Sequence, residues 1–227
     1  MSRSIPALWG ATLTLIAAGL LALPGRAQEE EPADEAPAAE ETDEYRQRGL
    51  YLTAMALVAF PTVQDGFLER WSAGASSVSA DPGAGASGRL GYRVAERVAV
   101  EVGGDWVNEI QVDGTVNGQS QSARAKLWNV TGNARWFFRD QQFQPYALFG
   151  AGYGQVDLST GGSSPLAGLG GARDGFVARF GLGADLYAKR DVALSFEAGY
   201  VLPTGDIRGT DYFSIALGLT LRFYGEN

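Results

Sequence analysis

The chain has 227 residues, enough for one folded domain and short for two. It contains no cysteine and no histidine, which excludes disulfides, the usual zinc sites and every catalytic arrangement that needs either side chain. The 26 acidic residues outnumber the 18 basic ones, and a general nucleic-acid partner is therefore not expected. Nine of the acids lie between Glu29 and Glu44, so the acidity belongs to one segment and not to the whole chain.

The first 27 residues have the organisation of a secretory signal peptide. A short basic end at Arg3 precedes an apolar stretch over residues 7–23, and small residues at Gly25 and Ala27 suit signal peptidase. A transmembrane helical anchor is the alternative, but the apolar run is short and interrupted by glycine. We therefore predict that residues 1–27 direct export and are cleaved.

Residues 28–44, QEEEPADEAPAAEETDE, contain no aromatic or branched aliphatic residue. Such a segment cannot bury enough apolar surface to offset the entropy lost on ordering. The composition predicts a disordered acidic spacer in the periplasm. The alternative is an acidic ligand for a basic periplasmic partner.

From residue 45 onward, large apolar residues repeatedly alternate with small or polar ones over segments of about ten residues, a period typical of β-strands. The alternation is clearest near the end of the chain, at residues 213–223. Eight such segments are predicted, at residues 48–60, 84–94, 97–107, 124–138, 145–158, 174–188, 191–201 and 211–224. Their connections alternate between tight turns and longer stretches, at residues 61–83, 108–123, 159–173 and 202–210.

A soluble sandwich and a membrane barrel would show the same alternation, because only the direction of the apolar face differs. The signal peptide, the strand lengths and the aromatic residues at strand ends favour the membrane. We predict an all-β domain over residues 45–227, an eight-stranded antiparallel up-and-down transmembrane β-barrel with both termini in the periplasm. The residues expected to form its aromatic girdles are Tyr51, Phe60, Tyr92, Trp106, Trp136, Phe138, Tyr146, Tyr187, Phe213 and Phe223.

Four stretches carry a resemblance to a known family: PYALFGAGYG at 145–154, GLGAD at 181–185, YVLPTGD at 200–206 and GLTLRF at 218–223. In order and spacing they resemble the eight-stranded OmpA-like outer-membrane β-barrel superfamily, over nearly all of the exported chain. The resemblance implies that the last strand, with Gly218, Leu219, Leu221 and Phe223, carries the signal read by the barrel-assembly machinery. Residues 224–227 extend past the aromatic residue that ends the signal in this family. No peptidoglycan-binding domain follows, so a wall-anchoring role is not implied.

Charged residues recur on the polar face in the middle of the predicted strands, where they would point into the lumen. We expect Arg89 to lie opposite Glu101 across a tight turn centred on Ala95, forming a buried ion pair. An interior network that fills the lumen is one interpretation, and a gated ion path is the other. The residues of this predicted network are Arg89, Glu101, Arg135, Arg179, Asp185, Glu197 and Arg222.

These features predict a non-enzymatic protein of the Gram-negative outer membrane with a structural or surface-interaction role and no cofactor. Outer-membrane enzymes of barrel type rely on a histidine, which this chain lacks. The alternative is a narrow porin-like channel for ions or small solutes. A carrier of apolar ligands would need an apolar lumen, which the charged interior disfavours. The expected partners are outer-membrane lipid, lipopolysaccharide and an extracellular ligand held by loops such as residues 67–71.

Overall fold

The computed structural model describes residues 48–62, 75–116, 119–160 and 171–223. The predicted signal peptide at 1–27, the acidic spacer at 28–44, the apolar cluster at 67–71 and the extension at 224–227 lie outside these residues. Within the described ranges, no helix is long and apolar enough to span a membrane.

Nine β-strands and one short 3-10 helix make up the described structure. The helix covers Gly205–Ile207. The strands are β1 (Gly49–Pro61), β2 (Ala75–Ala80), β3 (Gly83–Ala95), β4 (Val98–Val116), β5 (Gln119–Phe137), β6 (Phe143–Thr160), β7 (Gly171–Lys189), β8 (Val192–Pro203) and β9 (Tyr212–Phe223).

Every strand pairs antiparallel with its neighbours, and the sheet closes on itself. The ring runs β1–β3–β4–β5–β6–β7–β8–β9 and returns to β1 through the β1–β9 ladder. Strand β2 does not add a ninth position, because it continues along β4 where β3 stops, beyond the break at residues 81–82. The predicted eight-stranded up-and-down barrel is therefore confirmed.

The two ends of the barrel differ. One end, called here the turn end, holds the tight connections and also the start of β1 and the end of β9. The opposite end is called the loop end. There the strand boundaries differ from the predicted ones, since β2 occupies part of the predicted loop 61–83 and the described residues of the predicted loop 108–123 belong to the paired strands β4 and β5.

The outward side chains form an apolar band. Large residues such as Leu182 and Leu217 are more than half exposed on the outer face, as lipid contact requires. The band ends in aromatic residues: Tyr92, Trp136, Phe138 and Phe223 at the turn end, and Phe60, Trp106, Trp128 and Phe213 toward the loop end.

Three residues predicted for the girdles are placed wrongly by the sequence argument. Tyr51, Tyr146 and Tyr187 point inward and are almost completely buried. Their positions along the strands suit a girdle. Successive side chains alternate between the two faces of a strand, however, and these three fall on the inner face.

Two glycines on the inner face make room for two of these tyrosines. A Cβ at Gly91 would overlap the ring of Tyr51, and a Cβ at Gly183 would overlap the ring of Tyr146. Each glycine therefore lets a large ring cross the narrow lumen of an eight-stranded barrel, where interior side chains roughly fill the space.

We expect Gly183→Ala to lower the free energy of unfolding by about 1–3 kcal/mol, the usual cost of overpacking a filled interior. The added methyl group would collide with Tyr146 and with the backbone oxygen of Phe196. Denaturant unfolding of the barrel in detergent micelles, followed by the shift in electrophoretic mobility on boiling, measures this effect. Gly132→Ala is the matched control, because a Cβ there would point to open space with its nearest neighbour 4.0 Å away. Equal stability of the two variants would contradict this account.

Candidate functional site: the interior charge network

Glu197 on β8 is the centre of the network inside the barrel. Its carboxylate accepts two hydrogen bonds from Arg89, one of them 2.7 Å long at Nη2, and a third from Arg179 Nη2 at 2.9 Å. The hydroxyl of Tyr146 donates to the same carboxylate at 3.0 Å. One acidic side chain thus ties together β3, β6, β7 and β8.

A second branch of the network runs from Arg179 to β4. Arg179 Nη1 donates to Asp105 Oδ2, and the other oxygen of Asp105 accepts a hydrogen bond of 2.7 Å from Ser87. The side chains of this pair are at most 3% exposed. Because both charges are removed from water, their mutual contact offsets desolvation that would otherwise be costly.

Glu101 and Arg135 form the third branch. The carboxylate of Glu101 accepts a hydrogen bond of 2.9 Å from Tyr51, and one of its oxygens lies 2.8 Å from Arg135 Nε. The guanidinium of Arg135 lies over the ring of Tyr146, 4.4 Å from its centroid, and over that of Tyr51 at 5.5 Å. Charge contact and ring stacking hold this arginine, although none of its N–H groups has hydrogen-bond geometry to an acceptor.

A chain of hydroxyls connects the network to the remaining strands. Ser195 donates to Asp185 at 2.7 Å, and its oxygen is also 2.7 Å from Thr220 on β9. Thr220 in turn lies 2.7 Å from Thr53 on β1. Polar contacts between interior side chains therefore reach all eight positions of the barrel wall.

The predicted network residues are distributed as follows. Six of them, Arg89, Glu101, Arg135, Arg179, Asp185 and Glu197, lie within one connected group of ion pairs. Arg222 lies at the turn end, with its guanidinium 5.3 Å from the centroid of the Tyr187 ring.

The predicted pairing of Arg89 with Glu101 is wrong in register. Arg89 lies across from Gly103, while Glu101 lies across from Gly91, because the turn is at Glu96 and Arg97 and is not centred on Ala95. Arg89 Nη1 remains 3.5 Å from Glu101 Oε1, but its two short hydrogen bonds go to Glu197. A slip of two residues keeps both side chains on the inner face, so the predicted buried ion pair is present, although its register differs and the shortest contacts of Arg89 are with Glu197.

Among the residues that the structure describes, three buried charged residues lay outside the predicted set. Asp105 and Arg93 continue the inward period of β4 and β3, so the alternation itself contained the signal for both. Asp211 lies beside β9 and accepts a hydrogen bond from the hydroxyl of Tyr200. No pattern in the sequence pointed to it.

The predicted assembly residues lie on β9, which pairs with both β1 and β8 and so closes the barrel. Leu219, Leu221 and Phe223 face outward and are exposed. Gly218 faces inward, where a Cβ would collide with the backbone of Met55. Their role as an assembly signal stays a prediction.

Above the network, toward the loop end, the interior becomes apolar. A cluster of buried residues from seven of the barrel strands fills this upper lumen, and Ile207 of the 3-10 helix packs into it from the loop that precedes β9. A cavity beside Ile110, Leu127 and Val156 has a volume of about 30 Å³, close to the volume of one water molecule.

Strands β4, β5, β6 and β7 continue beyond the aromatic girdle that contains Trp106 and Trp128. We call this part, with β2, the raised wall: residues 75–80, 108–116, 119–127, 154–160 and 171–175. The outward side chains described on it are mainly polar. Arg124 Nε lies 3.0 Å from Glu109 Oε1, and Lys126 is paired across the ladder with Asp157.

One carboxyl on the raised wall has a shifted pKa. The hydroxyl of Ser122 donates to Asp113 at 2.6 Å, and the side-chain amide of Gln111 donates to it as well. These hydrogen bonds stabilise the carboxylate and lower the pKa of Asp113 below its usual value. The stabilisation is present above the usual pKa of an aspartate and is lost as the pH falls through the lowered value.

Within the described parts of the chain, no three carboxylates come close enough together to hold a metal ion.

The comparisons with known proteins point to the membrane. The sequence model for the outer membrane protein beta-barrel domain matches residues 15–223. Among curated proteins, none matches the sequence significantly.

Two solved structures share the fold. The crystal structure of outer membrane protein OprG from Pseudomonas aeruginosa superposes with a TM-score of 0.60 at 15% identity, covering 80% of this chain and 99% of that one. The crystal structure of Neisserial surface protein A gives a TM-score of 0.54 at 16% identity, covering 78% of this chain and 99% of that one.

We expect Glu197→Gln to lower the free energy of unfolding by about 3–5 kcal/mol, because it leaves buried arginines without their carboxylate. Glu109→Gln is the matched control, since it removes one charge from a solvent-exposed pair worth about 0–1 kcal/mol. Denaturant unfolding in micelles distinguishes them. If both variants unfolded at the same denaturant concentration as the unaltered chain, the network would not be holding the barrel together.

Proposed function

Because this chain belongs to the outer membrane protein beta-barrel domain family of Gram-negative outer membranes, we propose that it is a sealed, non-enzymatic barrel that acts through its external surface. The observation that carries the proposal is the interior network, whose polar contacts join all eight positions of the wall across the described part of the lumen.

The network opposes conduction for an electrostatic reason. An ion crossing the lumen would have to separate Glu197 from Arg89 or Arg179, and these side chains are at most 3% exposed. Breaking a buried pair leaves an uncompensated charge, which costs about 3–5 kcal/mol. A narrow channel, the alternative drawn from the sequence, would need such a separation for every ion that passed.

The upper lumen also supports a sealed barrel. The expectation of a charged interior is wrong for this part, which is lined by apolar side chains. The cavity beside its described residues measures about 30 Å³, whereas ligand pockets usually measure about 300–1,000 Å³. The apolar residues therefore act as the core of the raised wall, and a carrier of apolar ligands is disfavoured by packing.

A non-enzymatic role is supported by the state of the interior carboxylates. Glu101, Asp105 and Glu197 each face at least one arginine and accept a hydrogen bond from a hydroxyl group. All three are at most 5% exposed. Groups that are buried and paired in this way serve structure more readily than acid–base chemistry with a substrate.

The raised wall is the surface best placed to meet a partner. Beyond Trp106, β4 continues for ten residues to Val116, about 33 Å along the strand. Interior packing of Ile110, Leu127 and Leu158 holds it in place. With the tight turns in the periplasm, as is usual for such barrels, the wall stands outside the cell. Its polar outer face lies directly above the aromatic girdle of the loop end, within reach of lipopolysaccharide headgroups or an extracellular ligand.

We expect the purified barrel to show no resolvable single-channel conductance in planar lipid bilayers, because the interior pairs stay closed. Ser87→Ala, which leaves every ion pair intact, serves as a control for nonspecific leaks, and Glu197→Gln should be the variant that first admits current. Stable openings of the unaltered chain, altered in size by Arg89→Gln, would instead establish the narrow channel.

We expect the raised wall to carry the external contacts. Replacing residues 111–124 by Asn-Gly joins Ile110 and Ala125, which face each other across the ladder, through a two-residue turn that hairpins accept. The shortened barrel should still insert and shift on boiling but lose binding of lipopolysaccharide or of host-surface components, measured on whole cells and with immobilised protein. The unaltered chain, in which residues 117–118 are already Asn-Gly, is the reference. Full binding by the shortened barrel would refute the proposal.

A further inference from the structure

The outward side chains of β5 change from apolar to basic over four successive outward positions. In order toward the loop end they are Val130, Trp128, Lys126 and Arg124, and each is exposed. Outward positions on one strand are two residues, or about 7 Å, apart. One strand therefore presents an aliphatic side chain, an indole ring and two cations in a single line, which we call the basic column.

The strands on either side of β5 have no such column. Above the girdle, the described outward residues of β4, β6 and β7 are acidic, amide, hydroxyl or alanine side chains, and none of them is a cation. Level with Lys126, for example, the ladder places Asp157 on β6 and Ala172 on β7. Two adjacent outward cations are thus specific to β5 in the described part of these strands.

Neighbouring side chains hold two members of the basic column in place. Arg124 Nε lies 3.0 Å from Glu109 Oε1, and the arginine side chain is 65% exposed. Because this contact is made at Nε, the fork of the two terminal nitrogens remains available for an anion with several oxygens, such as a phosphate. Trp128 Nε1 donates to Gln155 Oε1 at 2.7 Å, which fixes the indole ring.

The charges around the basic column are balanced. Glu109 contacts Arg124, and Asp157 lies opposite Lys126 across the β5–β6 ladder. Two carboxylates therefore accompany the two cations, and the surface has no strong positive field. A ligand held here is recognised by directed hydrogen bonds from the two cations.

The height of the basic column places it in the headgroup layer of the outer leaflet. Aromatic girdles lie at the level of the lipid headgroups, and that layer is roughly 5–8 Å thick on each side of a bilayer. Strands of such barrels tilt by about 40°, so Lys126 rises about 5 Å above Trp128 and Arg124 about 10 Å. This placement rests on the proposed function, in which the raised wall stands outside the cell.

We propose that the basic column is a binding site for a phosphate group of lipopolysaccharide, the glycolipid of the leaflet that the raised wall meets. Lys126 and the terminal nitrogens of Arg124 donate to the phosphate, Trp128 lies against the sugar that carries it, and Val130 contacts an acyl chain. Free phosphate has the same oxygens but lacks the sugar and the acyl chain that the lower half of the column accommodates. The lipid is therefore the favoured source of the phosphate.

The test is binding of lipopolysaccharide to the complete barrel, immobilised in non-ionic detergent with EDTA and about 0.1 M NaCl, where the Debye length is about 10 Å. Intact lipopolysaccharide is compared with the same material dephosphorylated by hydrofluoric acid. We expect dephosphorylation to weaken binding to the unaltered chain about tenfold, as the loss of a charge-assisted hydrogen bond would. The variant with Arg124→Gln and Lys126→Gln should bind both materials equally, at the weaker level.

The matched control is the variant with Lys189→Gln and Arg208→Gln, which loses one lysine and one arginine at exposed positions outside the basic column. It should bind intact lipopolysaccharide like the unaltered chain. Asp157→Asn should bind it up to about fivefold more tightly, because the carboxylate opposite Lys126 is removed from an exposed pair. Weaker binding by Asp157→Asn would overturn direct contact between Lys126 and the phosphate.

Three further outcomes would overturn the site: equal binding of intact and dephosphorylated lipopolysaccharide by the unaltered chain, equal weakening by the control variant, or displacement of lipopolysaccharide by an excess of inorganic phosphate. Every variant should still shift in mobility on boiling, since the substituted side chains are exposed. These results are separable from those for the proposed function. Stable channel openings would refute the sealed barrel, whereas binding without dependence on phosphate would refute the basic column alone.

Discussion

Eight strands enclose a lumen that side chains must fill, and this constraint governs the interior of the protein. A charged group that points inward loses its water and can be stabilised only by counter-charges on other strands. Glu197 meets that requirement for Arg89 and Arg179 together. Because each partner sits on a different strand, the same contacts that satisfy the charges also hold the strands of the wall together.

Size complementarity makes this network possible. Gly91 and Gly183 leave the space that the rings of Tyr51 and Tyr146 occupy, and those two rings flank the guanidinium of Arg135. The tyrosines also donate hydrogen bonds to Glu101 and Glu197. Small residues on one strand therefore determine where aromatic residues of the next can lie, and the aromatic residues determine how the charges are held.

The directions in which apolar and polar side chains point are exchanged at the aromatic girdle near the loop end. Below Trp128, apolar side chains point outward and polar ones inward, whereas above it Lys126 and Arg124 point outward and Leu127 and Ala125 inward. The first arrangement suits lipid outside the barrel and the second suits water. The inversion explains how one continuous sheet serves as a membrane anchor in its lower half and as a water-facing structure with its own apolar core in its upper half.

The sequence by itself determined the strand period, the number of barrel strands and the face of each interior charge. These depend only on alternation between successive residues, and a register slip of two residues, as at Arg89 and Glu101, leaves them unchanged. The tertiary structure decided the partners. Arg89 binds Glu197, 108 residues away, because contacts across a closed lumen depend on the stagger of all eight strands. Only the tertiary structure showed the raised wall. The polarity pattern of residues 108–123 is the reverse of that in the membrane-spanning strands, so it did not predict a strand. Packing against the neighbouring strands stabilises this part of the sheet.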